Sequence, residues 1–168
     1  WEVLLDPPAG RNEVERLADI NSTIRAIGED LYVVGYRGQL ASVAAESGQV
    51  LWSRDVRSYE GLSVDLQNVY VSGADSDLSA MLRQTGSDLW KHEQLMLRDI
   101  SGPTAYRNSV VVGDFEGYVH FFDTATGELQ ARVRAGSDRV TSPPVVVSET
   151  IYVQTDGGDL AAFRQLAK

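Results

Sequence analysis

The sequence predicts an all-β fold: a β-propeller of four-stranded antiparallel blades, of which this chain carries about half a ring. Three observations lead there. The turn glycines Gly48, Gly86 and Gly127 recur at spacings of 38 and 41 residues, and the apolar position eight residues before each gives Leu40, Leu78 and Val119, continued by Leu160. Short alternating strands fill each period, punctuated by Gly, Asp and Asn, with no helix-period stripe between them. A Trp follows the turn in "SGQVLW" and "TGSDLW", whereas "TGELQA" keeps the turn and has Ala131 in its place. A period of about 40 residues with strand content alone is the signature of a propeller array.

Residues 1–5 read as the last strand of a preceding blade, with Trp1 at the Trp position of the repeat. Residues 7–21, "PPAGRNEVERLADIN", exceed the period and read as an inserted loop between blades. Within them "RNEVERLADI" is the one candidate helical turn, and its length is marginal. Insertions into repeats map to loops on one face, often the binding face. Blades follow at 22–54, 62–92 and 102–134, then a final blade at 142–164 that lacks its fourth strand.

Each blade opens on a short strand, "STIRAI", "LSVDL", "GPTAYR" or "SPPVVV". A β-branched and aromatic strand comes next ("DLYVVG", "NVYVSG", "SVVVGD", "TIYVQT"), and after a polar turn an alternating one ("QLASVAA", "DLSAMLR", "YVHFFDT", "DLAAFRQ"). The Ser/Thr-Gly turn after the third strand needs one residue at positive φ, which Gly accepts at little steric cost. The fourth strand then carries Trp52 or Trp90, each expected to fill the wedge between neighbouring blades while its N–H finds a backbone carbonyl. In the third blade Phe121 or Phe122 is expected to fill that wedge instead of Ala131. The count is three and three-quarter blades plus an orphan strand, so the chain reads as the C-terminal half of a ring. An N-terminal strand of a longer protein is expected to complete the last blade. Open edges on such a half favour self-association of the isolated chain.

Composition bounds the function. Lys plus Arg number 15 against 24 Asp plus Glu, a formal charge of −9 with no clustered basic stretch, which argues against a nucleic-acid partner. There is no Cys, hence neither a disulfide framework nor a thiolate metal site. The longest apolar runs fall far short of the roughly 18 residues that span a bilayer. With two histidines, His92 and His120, no zinc constellation assembles from the usual ligands. Asp75 and Asp77 alternate as in a calcium loop, but Ala80 and Gly86 stand where its Gly and Glu are needed. "GLSVD" is no nucleophile elbow, and "GDFEG" and "DGGD" read as solvated turns whose Asp caps the backbone. His120, on an alternating strand beside two Phe, reads as a packed or turn-bonded residue. No cofactor is expected.

The repeat A-x-x-x-x-(S/T)-G-x-x-x-W resembles the tryptophan-docking repeat of the pyrroloquinoline-quinone-like propeller superfamily. Within it, "RNEVERLADINST", "GYRGQLASVAAESGQVLW", "VVVGDFEGYVHFFDTATGEL" and "TDGGDLAAF" are similar to the BamB family, over essentially the whole chain. That resemblance implies an eight-bladed propeller lipoprotein of the outer-membrane β-barrel assembly machinery in Gram-negative bacteria. Such a protein is held at the periplasmic face of the outer membrane by an N-terminal lipid outside this chain. It implies a non-enzymatic scaffold that binds a POTRA domain of the barrel subunit BamA and supports folding and insertion of outer-membrane proteins. Unfolded outer-membrane strands, added to a blade edge, are compatible with that role as a second partner.

One of the family's contact loops lies in the N-terminal half, which this chain does not contain. The other is an acidic pair after "RL" in the inserted loop: Asp19 matches, and Asn21 stands where the family has Asp, keeping an acceptor and losing a charge. With Arg16 alongside, these are the expected partner-binding residues. The rival implication of the same repeat is a fragment of a quinone-dependent quinoprotein dehydrogenase, which would need a calcium-held quinone in the central funnel.

Overall fold

The computed structural model describes residues 1–3, 5, 24–35 and 39–165. Among them there are only strands, turns and loops, arranged as four antiparallel sheets whose order in space equals their order in sequence. The first blade is β1 (Arg25–Ile27), β2 (Asp30–Val34), β3 (Gln39–Ala44) and β4 (Val50–Asp55). The second is β5 (Leu62–Val64), β6 (Asn68–Ser72), β7 (Leu78–Leu82) and β8 (Asp88–His92). The third is β9 (Thr104–Tyr106), β10 (Ser109–Gly113), β11 (Tyr118–Asp123) and β12 (Leu129–Arg134). A three-stranded last sheet holds β13 (Val145–Val147), β14 (Thr150–Gln154) and β15 (Leu160–Phe163). This is a partial propeller. The described residues at the N-terminus, 1–3 and 5, lie in no strand, and the expected orphan strand falls partly outside the described residues.

The cores lie between blades, because the second strand of each blade is apolar on both faces. Val69 and Val71 pack toward the first blade with Tyr32, Val34, Leu40 and Leu62, while Tyr70 between them packs toward the third with Val110, Val112 and Phe122. Val111 turns the opposite way, onto Ile151 and Val153 of the last blade. Among the described residues three such inter-blade cores form, each filled by the two-residue alternation of its strands.

The turn after each third strand repeats to the hydrogen bond. Gly48 N–H donates to Ala44 O, Gly86 N–H to Leu82 O and Gly127 N–H to Asp123 O, with φ of 73°, 66° and 71°. A register shift falls at the same place in each blade, between Ser42 and Val43, Ala80 and Met81, and Phe121 and Phe122. The glycines have a second duty. The Trp of each unit lies over the turn glycine of the next blade: Trp1 on Gly48, Trp52 on Gly86, Trp90 on Gly127. A Cβ on Gly86 would sit 2.6 Å from the Trp52 ring, so only hydrogen fits there. Each indole N–H donates to the carbonyl just after the third strand, at Ala45, Arg83 and Thr124, over 2.9–3.0 Å.

The third blade departs from this pattern at Ala131. This residue pairs with Phe121 as Trp52 pairs with Ser42 and Trp90 with Ala80, so it is the Trp position of the third blade. A Trp there would lie over the corresponding turn of the last blade. Eight residues after Leu160, where the other blades have the turn glycine, the sequence has Lys168, outside the described residues. Phe121 packs in the core shared with the last blade, beside Phe163, whereas Phe122 is buried on the opposite face of the third blade.

Candidate functional site

Alternate turns of a blade fall on opposite ends of the strands, which gives the propeller two unlike faces. On one lie the tight turns with their docked tryptophans. On the other, the β2–β3-type turn of the second, third and last blades is tied to the connector entering that blade: Ala74 N–H donates to Arg57 O, Phe115 N–H to Arg98 O and Asp156 N–H to Arg139 O. The connectors are residues 56–61, 93–103 and 135–144, and they are where the repeat varies in length. Binding residues concentrate on loops held by a rigid scaffold, and this connector face is the candidate site.

The inserted loop 7–21 stands in sequence where the other connectors stand, between the Trp1 position and β1. Arg16, Asp19 and Asn21 all lie outside the described residues. The described part of the face is built around a buried carboxylate. Asp114, at the end of β10, is wholly inaccessible, as is nearly all of His120. One carboxylate oxygen of Asp114 accepts from Arg98 Nε at 2.7 Å and from His120 Nε2 at 2.8 Å. The other accepts the backbone N–H groups of Glu116 and Tyr118.

Burial alone would raise the Asp114 pKa; the bonds from His120, Arg98 and the two backbone N–H groups outweigh it and bring it down to about 2. Arg98 reaches on to Glu116 and lies 5.2 Å over the Phe115 ring. Across the next connector Arg139 pairs with Asp99 and with Asp156. In the third and last blades, turn and connector are thus pinned charge to charge.

The sequence reading of "GDFEG" as a solvated turn needs correcting. Asp114 does cap two backbone N–H groups, but it is buried, because Arg98 arrives from a connector sixteen residues earlier in the chain and His120 from the neighbouring strand. His120 is indeed packed and bonded to the turn, between Phe122 and Tyr118. Asp77, in the failed calcium-loop pattern, pairs with Lys91 at 3.1 Å. Among the described residues no group of three or more His, Asp or Glu side chains converges as metal ligands would. No helix among them is long and apolar enough to cross a membrane.

Comparison with known proteins places this architecture. The family model described as outer membrane protein assembly factor BamB matches residues 1–92 and again 74–167. The outer membrane protein assembly factor BamB of Pseudomonas aeruginosa is 38% identical over 163 residues, covering 97% of this chain and 43% of that protein. The crystal structure of BamB from Moraxella catarrhalis superposes with a TM-score of 0.85 at 27% identity, covering 93% of this chain and 46% of that one. A quinohemoprotein alcohol dehydrogenase from Comamonas testosteroni reaches a TM-score of 0.72 at 15% identity, covering 87% of this chain and 33% of that one, which is a likeness of fold alone. The chain spans about two fifths of the length of the curated relatives it matches.

Proposed function

Because the chain belongs to the BamB family of outer membrane protein assembly factors, we propose that it is part of a non-enzymatic scaffold for β-barrel assembly. It works at the periplasmic face of the outer membrane in a lipid-anchored protein, and it docks a POTRA domain of the barrel subunit BamA through its connector face. The observation that carries this reading is the family match, in register over the whole chain. The inserted loop adds to it as the largest departure from the repeat period. Its charges, Glu13, Glu15, Arg16 and Asp19, suit a basic partner surface. Asp19 accepts a charge-assisted hydrogen bond from an Arg of the partner, and Asn21 makes a weaker neutral contact.

In the full-length protein Asp19→Arg is expected to weaken binding to isolated POTRA domains by about 1.5–3 kcal/mol, the range for a hydrogen bond to a charged group. Calorimetry reads the affinity and a thermal melt checks the fold. Unchanged affinity with a normal melt moves the site elsewhere, and a lost melt means that Asp19 serves as a structural cap.

Unfolded strands added to blade edges fit this chain less well. The outermost strands carry Arg54, Lys91, Arg132 and Arg134, charges of the kind that discourage edge pairing. The last blade is different: Val145, Val147 and Leu160 are exposed at 56–72%, and β15 has β14 on one side only. The isolated 168-residue chain is therefore expected to self-associate through that face. Light scattering across a dilution series should show mass rising with concentration; a strict monomer at high micromolar concentration would show the edge to be protected.

A further inference from the structure

Leu97 has no packing role in the fold: 84% of it is exposed, at the summit of the connector between the second and third blades. Its backbone is nevertheless held in the left-handed region, φ 62°, and so is that of Asp99, φ 49°. Leucine adopts this conformation only where the surroundings over-determine it. Here they do. Arg98, between the two, is drawn inward to buried Asp114; Asp99 is held by Arg139; Leu97 N–H donates to Asp75 O, and Ile100 N–H to Ser76 Oγ.

The network spends its charges on presenting one apolar side chain to solvent. Beside it stand Phe115, 43% exposed, and Met96, 47% exposed, and Leu97, Asp99, Phe115 and Arg139 line a shallow depression. Arg98 is taken up by buried Asp114, so at the surface the carboxylates of Asp99, Glu116 and Asp156, with Asp75 whose carbonyl accepts the Leu97 N–H, outnumber the one remaining guanidinium, Arg139, itself paired. An apolar centre in an acidic surround complements an apolar side chain flanked by Arg or Lys.

We infer that the Leu97–Phe115 knuckle is a second docking point on the connector face, taking a partner loop that carries an apolar side chain next to a basic one. This rests on the proposal that the face binds a POTRA domain, and it adds a contact separate from the inserted loop.

Leu97→Gly tests it cleanly, since Gly removes the side chain and suits the left-handed backbone better. In the full-length protein the variant is expected to melt at the parent's temperature or above it. Its affinity for isolated POTRA domains should fall roughly tenfold, in line with losing burial of one leucine-sized side chain. The parent's affinity should also fall as salt rises. If the parent binds and Leu97→Gly binds as tightly, the knuckle is no contact while the POTRA reading stands. A lower melting temperature would overturn the inference too, because Leu97 would then be packing within the fold. Affinity insensitive to salt removes the basic partner, and a parent that binds no POTRA domain sinks both proposals.

Discussion

Trp52→Ala should lower the unfolding free energy by about 3 kcal/mol, at the lower end of the range for large aromatic truncations, because the ring is half-buried between blades. The loss has two parts. The indole covers Gly86 and packs against the Tyr32, Leu62 and Val71 core, so truncation leaves a gap that rigid strands cannot close. Its N–H also leaves Arg83 O without that donor. Trp1→Ala removes the same contact from Gly48, but Trp1 is 64% exposed and should cost much less. Chemical denaturation of the two variants compares them directly, and equal losses would contradict the docking geometry.

Asp114→Ala is expected to be at least as damaging, about 3–5 kcal/mol, the cost of breaking a buried charge pair by removing one partner. Arg98 Nε and His120 Nε2 would both lose their acceptor, and His120 Nδ1 has no partner to begin with. The same residue gives a pH dependence. Its folded pKa is depressed, so the ionised carboxylate favours the folded state. That stabilisation is fully present above its ordinary value of 3.8 and is lost as the pH falls toward about 2. A shift of that size corresponds to roughly 2 kcal/mol. Denaturant titrations between neutral pH and the acid limit should show this decline in the parent and a shallower one in Asp114→Asn. Parallel acid profiles would mean that the carboxylate is not held as the structure places it.

Much of the molecule was legible in the residues. Strand alternation, the i and i+8 relation of Leu40 to Gly48 and of Leu78 to Gly86, and the turn chemistry are all local, and local patterns of period two survive any tertiary arrangement. They set the blades, their order and the Trp register before any contact is known. The absence of a Trp at Ala131 was visible, but not what the other tryptophans dock on. A Trp answers to a glycine in the next blade, some 34 to 47 residues away, and only the packed structure pairs the two. The acidic turn at 114–117 carries the same message. Asp114 reads like any turn-capping Asp, because nothing within a few residues of it reveals that Arg98 and His120 will close over it.

The sequence by itself determined the strand periodicity, the turns and the family, since each is written in spacing along one stretch of chain. Tertiary structure alone decided which charge is buried and which leucine is held out to solvent. Burial and backbone strain are settled by what other elements bring to a position, and that is a property of the assembled blades.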